Sequence, residues 1–256
     1  MLDSKLEYLI KYLLLESDQD IGMPKTADGK FELYRGLVNV RPPMAAESRY
    51  IDTENEFLTE YIAEKGITDI NDLTPAEDGI YLWQGDITTL KCGAIVNAAN
   101  SQMTGCYSPN HNCIDNCIHT FAGVRLRYKC AALMEEQGHY ELPGRAKLTP
   151  AYNLPSDYVI HTVGPIVYGT PTDEQCELLK SCYVSCLDCA VQNGIESIAF
   201  CCISTGVFGF PQRPAARIAV DTVREYLKSH HIHDKKVIFD VFDALDYTIY
   251  SSLLNI

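Results

Sequence analysis

Apolar residues in the first 65 positions recur at helical intervals. Leu6, Leu9, Ile10, Leu13 and Leu14 line one face of a helix predicted over residues 4–16, and Ser4 and Glu7 stand at capping-box spacing at its start. A polar stretch over 17–30 separates it from a second, short helix over 31–40, which must stop before Pro42 and Pro43. A third, over 48–65, turns Ile51, Phe57, Leu58, Tyr61 and Ile62 inward and ends at Gly66. From Tyr81 the period changes. Short β-branched and aromatic runs at 81–83, 94–98, 146–149, 158–163, 197–202 and 237–242 predict strands, and helical patterns over 114–137, 172–192, 214–229 and 244–254 fall between them. This alternation predicts an α/β sheet sandwiched between helices, with ligands beyond the carboxyl ends of its strands. Residues 1–78 read as a small helical extension and 79–256 as the main domain, and no internal repeat is present.

Composition narrows the function classes. With 46% hydrophobic and 21% charged residues, a 256-residue chain can bury about 70 to 75% of its unfolded surface, so enclosed chemistry is possible. The net charge of −13 argues against holding nucleic acid through a basic face. Half of the 34 acidic residues lie in the first 80 positions, against 8 of the 21 basic ones, so the acidity marks the extension. Asp3, Lys5, Glu7 and Lys11 break any signal-peptide core in the leucine-rich start, and no apolar run approaches the roughly 20 residues that span a bilayer. Eleven cysteines, an odd number in a leaderless chain, favour a reducing cytoplasm with thiols buried or bound to metal.

Four strand-to-helix loops carry chemistry-bearing residues. In Gly85-Asp86-Ile87-Thr88 the aspartate either caps a turn or offers a carboxylate to a ligand amine. In Asn97-Ala98-Ala99-Asn100 the alanines let backbone approach a ligand and the amides can bond sugar hydroxyls, although turn-forming asparagines at a strand end explain the same letters. Cys106, His111 and Cys113 form a C-x4-H-x-C pattern within eight residues. Two thiolates and an imidazole so close can converge on one zinc and leave a fourth tetrahedral position open, the count of a catalytic site. Cys117 and His119 in the following helix are the nearest candidates for a fourth, structural ligand; ordinary buried thiols with a surface histidine are the plain alternative. In Ser204-Thr205-Gly206-Val207-Phe208-Gly209-Phe210-Pro211 the glycines allow consecutive N–H groups to face an anion at the start of a helix near Pro214, as in a diphosphate cradle, and such loops also serve as simple connectors.

Other candidates read as structural. Cys182, Cys186 and Cys189 recur at core-stripe spacing on one helix, and Cys201 and Cys202 fall in a buried-strand run. His230, His231 and His233 suit a solvated helix C-terminus.

Taken in order on one α/β frame, the four loops resemble the macrodomain family, which binds ADP-ribose. The likeness runs from about Tyr81 to Tyr250 and includes Ile160-His161-Thr162-Val163-Gly164-Pro165. The stretch from Ile114 to Gly123 resembles the central helix of hydrolytic macrodomains, in which an aspartate precedes a similar Cys-Ile-His sequence and acts in catalysis. Those relatives usually carry a polyglycine loop after the second asparagine. The cysteine- and histidine-bearing segment found here instead is similar to that of the zinc-dependent macrodomains of bacteria and some fungi, which share a helical N-terminal extension.

The resemblance implies a three-layer α/β/α fold with a central mixed sheet. By position, Asp86 would accept from the adenine amino group, the Ile87 N–H would lie nearby, and Phe242 would rest against the adenine face. Ser204, Thr205, Gly206, Val207, Phe208 and Gly209 would enclose the diphosphate, and Asn100 would hold the distal ribose. Cys106, His111 and Cys113 would hold Zn²⁺, with Asp115 assisting proton transfer. The implied activity is zinc-dependent hydrolysis of mono-ADP-ribose from modified protein, an ester to Asp or Glu foremost. A non-catalytic ADP-ribose reader with a structural zinc and an O-acyl-ADP-ribose deacylase are the alternatives. A sirtuin-type ADP-ribosyltransferase and a lipoate-carrier protein are the implied pathway partners.

Overall fold

The structure, a computed structural model, describes residues 2–231 and 235–256. Three helices open the chain: α1 (Leu2–Glu16), α2 (Ala27–Val40) and α3 (Ser48–Lys65). The stripe Leu6, Leu9, Ile10 and Leu13 is buried as α1 packs on α2 and α3. Because α1 already begins at Leu2, Ser4 sits inside its first turn, and Glu7, with Asp3, takes the Lys30 ammonium. The second helix starts four residues earlier than its apolar pattern indicates. Thr26 supplies the cap there, accepting the Gly29 N–H at 3.1 Å.

The strands follow as β1 (Thr68–Asp69), β2 (Ile80–Gln84), β3 (Leu90–Lys91), β4 (Ala94–Ala98), β5 (Ala146–Pro150), β6 (Tyr158–Thr162), β7 (Ser197–Phe200) and β8 (Lys236–Val241). β1 and β3 form a small parallel pair. The other six make one sheet in the order β2-β8-β7-β4-β6-β5, parallel throughout except that β5 runs antiparallel to β6 at the edge. Every residue of β7 and all but the last of β4 are buried, the pattern of parallel strands covered on both faces.

Five further helices complete the layers: α4 (Ile114–Ala122), α5 (Val124–Gln137), α6 (Asp173–Gln192), α7 (Gln212–Ser229) and α8 (Ala244–Leu254). α6, α7 and α8 pack together over one side of the sheet; α4 and α5 lie on the other, with α2 and α3 against α4. This is the expected three-layer α/β/α arrangement with a mixed sheet. Among the described residues, no helix is long and apolar enough to cross a membrane.

The single helix predicted over 114–137 is in fact two. Gly123 breaks it with φ +88°, and a Cβ there would lie 2.5 Å from Glu54 Oε2. Nothing but glycine fits between the two helices and that carboxylate. The predicted strand over 197–202 likewise stops at Phe200, where the chain leaves the sheet for its carboxyl-end loop. Cys182 and Cys186 are buried in α6 as core residues. His230 caps α7 and stacks on Tyr226 at 4.1 Å; His233 lies outside the described residues.

Candidate active site

Since β2, β4, β7 and β8 are parallel, the loops following them emerge along one rim of the sheet. Backbone bonds stitch these loops together: Gly85 N–H to the Val241 carbonyl, Ala99 N–H to Thr162, and Val167 N–H to Phe208 at 2.7 Å. A polar cavity of about 530 Å³ lies elsewhere, lined in part by Gln137, Arg145, Asp188 and Gln192, and holds none of the motif residues.

At one end of the rim Asp86 caps a short 3-10 turn, its Oδ1 accepting from the Thr88 N–H at 3.0 Å and the Thr88 hydroxyl at 2.6 Å. Lys65, at the end of α3, pairs with Oδ2 and also lies over the Phe121 ring at 4.2 Å. Burial alone would raise the Asp86 pKa, but the Lys65 ammonium and Thr88 together hold the carboxyl below its ordinary value. The turn reading and the ligand reading of Asp86 are compatible only in that the turn uses Oδ1, while Oδ2, paired with Lys65, keeps a second lone pair for a ligand amine. Ile87 is buried, and its N–H takes no acceptor among the described residues. Phe242, just past β8, is 80% exposed, an aromatic face with no packing role.

The loop after β7 turns back on itself: Phe210 N–H reaches the Ser204 carbonyl and Gly209 N–H the Gly206 carbonyl. Ser204 itself is buried with φ 65°, and the Thr205 hydroxyl bonds the Cys202 carbonyl at 3.0 Å. Among the described residues, the N–H groups of Gly206, Val207 and Phe208 take no protein acceptor. They precede α7, which starts at Gln212, so free donors and a helix N-terminus occupy one end of the loop.

The asparagines after β4 have different fates. Asn97 is fully buried, so the expectation that both amides meet a sugar is corrected. Its Nδ2 donates to Asp115 Oδ1 at 2.8 Å and to His161 Nδ1 at 3.1 Å, and His161 Nε2 then donates to Thr149 Oγ1 at 2.9 Å. Asn100 is half-buried. Its Oδ1 accepts the Gln102 and Met103 N–H groups, while Nδ2 donates to the Gly105 carbonyl at 3.1 Å and to Asp115 Oδ2 at 3.3 Å. Both oxygens of Asp115 are thus engaged by asparagine amides. Burial, only partly offset by Asn97, pushes its carboxyl up to about 6. His119, one turn along α4, has Nε2 3.6 Å from Asp115 Oδ1, and burial drives it well below its usual range, keeping it neutral.

Between Asn100 and Asp115 runs the segment with the two thiols and the imidazole. Gly105 begins it at φ +83°, where a Cβ would strike the His119 ring at 2.8 Å. Cys106, His111 and Cys113 bring their donor atoms within 4.8 Å of one another, and Cys106 Sγ lies 3.6 Å from His111 Nδ1. A tetrahedral zinc with Zn–S of about 2.3 Å and Zn–N of about 2.05 Å needs an S···N separation of roughly 3.5 Å, so the donor set fits. Burial, then the neighbouring Cys106, pushes the Cys113 thiol up to about 12. Cys117 and His119 are not part of this group: the Cys117 sulfur faces Arg35 at 3.5 Å, and His119 clusters with the buried Cys130 and His161. His161 beside Asp115, and Lys65, Arg35 and Asn39 from the extension, are the site's neighbours that pattern reading alone misses, whereas Asn97 and His119, read for a sugar and a metal, face Asp115 instead. His119 and His161 sit within quoted motifs; the extension residues carry no signal, being polar positions on helices.

The layered fold and this rim define an α/β protein whose candidate ligand site lies at the carboxyl ends of a largely parallel sheet. The Macro domain family profile matches residues 96–219. Over 254 residues, 97% of each chain, the sequence is 51% identical to a protein-ADP-ribose hydrolase of Treponema medium. It is 48% identical over 256 residues to a protein-ADP-ribose hydrolase of Staphylococcus aureus strain Mu50, covering 98% of this chain and 96% of that one. Among solved structures it is similar to the Trypanosoma brucei macrodomain in complex with ADP-ribose, with 30% identity and a TM-score of 0.67 over 86% of this chain and 94% of that one. The chain belongs to the macrodomain family.

Proposed function

We propose that the protein is a zinc-dependent hydrolase that removes mono-ADP-ribose from Asp or Glu side chains of modified proteins. The observation that carries this reading is the Asn100–Asp115 pair at the base of the loop bearing Cys106, His111 and Cys113. Two relatives about half identical over nearly their whole length are named protein-ADP-ribose hydrolases, which supports the hydrolase part of this reading.

In this reading the Asp86 carboxylate receives the adenine amino group on Oδ2, the Ile87 N–H bonds the ring, and Phe242 covers its face. Ser204 to Gly209 enclose the diphosphate with the free N–H groups of Gly206, Val207 and Phe208. Asn100, fixed at both ends of its amide, orients the distal ribose. Asp115, aimed by Asn97 and Asn100, accepts a proton from the water that cleaves the linkage, and free ADP-ribose and an unmodified carboxylate leave. Cys106, His111 and Cys113 would hold zinc, which when bound supplies a Lewis acid for a ribose or water oxygen. Eleven unpaired cysteines suit a cytoplasmic setting. Family association supports a sirtuin-type ADP-ribosyltransferase and a lipoate-carrier protein as pathway partners.

The test is release of free ADP-ribose from a protein mono-ADP-ribosylated on acidic side chains, using enzyme as purified, after zinc chelation, and after zinc is returned. Release that chelation abolishes and zinc restores is the expected result. Release that survives verified metal removal would refute the zinc requirement, and tight ADP-ribose binding with no release would refute the hydrolase in favour of a reader.

A further inference from the structure

The segment from Cys106 to Cys113 has no regular secondary structure, yet its backbone is anchored from a distant part of the chain. Arg35, on α2, donates from Nη2 to the His111 carbonyl at 2.7 Å and to Asn116 Oδ1 at 3.0 Å, and from Nη1 to Asn112 Oδ1 at 3.3 Å. One turn further on, Asn39 accepts the Asn110 backbone N–H at 2.9 Å and donates to Thr120 Oγ1 at 3.0 Å. Asn110 has φ 55°, a left-handed turn conformation that asparagine adopts more readily than other residues with a side chain, and Asn39 fixes its backbone there. Asn116, oriented by Arg35, returns a bond from Nδ2 to the Ser108 carbonyl at 3.0 Å.

These bonds fall on the two residues that aim the imidazole. The direction of the His111 ring follows from its backbone, which is held at its own carbonyl by Arg35 and at the preceding N–H by Asn39. Neither Arg35 nor Asn39 offers an atom to the donor cluster. An unanchored loop would have to lose its conformational freedom when three ligands converge, and that cost would appear directly as weaker metal affinity.

We infer that Arg35 and Asn39 are positioning residues for the metal loop, holding Cys106, His111 and Cys113 in a ligating arrangement, so that the helical extension is the scaffold of the metal centre. The inference rests on the zinc reading above. Because Arg35 is half-exposed on a helix, its removal leaves the core intact.

The experiment titrates metal-free wild-type protein, Arg35→Ala, Arg35→Lys and Asn39→Ala with cobalt(II), reading the thiolate charge-transfer and tetrahedral d–d bands, and measures zinc affinity by competition with a chromophoric chelator. Far-UV circular dichroism and cooperative unfolding of the metal-free variants verify the fold. Arg35→Ala and Asn39→Ala should lower zinc affinity about 10- to 100-fold with the cobalt band shape retained, as expected when the ligands persist but their support is lost. Arg35→Lys should recover part of the loss, and free ADP-ribose should bind all variants within about twofold of wild type. Zinc affinities of folded Arg35→Ala and Asn39→Ala within twofold of wild type would overturn the inference alone. If Arg35→Ala does not fold, Arg35→Gln is measured in its place against the same limits. Absence of a thiolate charge-transfer band in wild-type protein would overturn the zinc reading and this inference with it.

Discussion

Glu54, a buried carboxylate on α3, accepts the backbone N–H of Val124, the first residue of α5, at 3.0 Å. Tyr34 and Tyr50 donate to its other oxygen at 2.9 and 3.0 Å. A carboxylate is favourably placed at a helix N-terminus, and this one fills the space that Gly123 leaves. The extension and the central helices therefore share a polar junction here, in addition to those made by Arg35 and Asn39.

Removing that carboxylate strands a helix N–H and two tyrosine hydroxyls away from water. Glu54→Ala should cost about 3 to 5 kcal/mol, the range for breaking a buried charged network. Glu54→Gln should cost less, since an amide oxygen can replace one acceptor. Urea unfolding of both variants checks this. A loss under about 1 kcal/mol for the alanine variant would mean that the junction contributes little.

His161 makes stability depend on acid. Burial holds its pKa at about 3 in the folded protein, below the ordinary histidine value of about 6.5. The folded state needs it neutral, while the unfolded chain binds a proton once pH falls below about 6.5. Its contribution is thus fully present above pH 6.5 and is lost as pH falls towards 3, at about 1.4 kcal/mol per pH unit. His119, also depressed by burial, acts in the same direction. Urea unfolding between pH 4 and pH 6 should show wild-type stability falling with acid, with a slope shallower by one proton in His161→Gln. An identical slope would place the proton uptake elsewhere.

These cases separate what is legible along the chain from what is not. The pattern over 48–65 coincides with α3 at both ends, because its apolar face and the Gly66 stop are local. The cysteine and histidine cluster is equally local, with all three donors in eight consecutive residues. The break at Gly123 is not, since the apolar period continues across it and its cause, Glu54, lies 70 residues before Val124. Asn97 reads as a strand-end residue open to a ligand, but the register of β4 with β6 sets it beside His161 in the interior. Arg35 meets the His111 carbonyl across 76 residues, and a polar residue on an amphipathic helix reads as solvated until the tertiary contact is known.

The exposure of Phe242 allows a test of the proposed adenine contact that leaves the fold alone. An aromatic residue stacked on a base contributes about 1 to 3 kcal/mol to binding. Phe242→Ala should therefore weaken ADP-ribose roughly 5- to 160-fold in calorimetry, while thermal stability stays within about 0.5 kcal/mol of wild type. Adenosine diphosphate should lose the same factor, because it carries the same base. Unchanged affinity for both would remove Phe242 from the site.

Asp115 separates binding from chemistry. Its oxygens are occupied by the Asn97 and Asn100 amides, so an asparagine in its place keeps the shape but must turn an NH₂ group towards one of two donors. It can accept no proton from water. If Asp115 serves as the general base, Asp115→Asn should slow single-turnover release of ADP-ribose by about 10²- to 10⁴-fold. Free ADP-ribose, held chiefly at Asp86, Phe242 and the 204–209 loop in this reading, should bind within about threefold of wild type. The contrast with Asn100→Ala is informative, because that change removes the expected contact with the distal ribose and should weaken binding and turnover together. Release by Asp115→Asn within tenfold of wild type would exclude the carboxylate as the base and assign proton transfer to another group in the site.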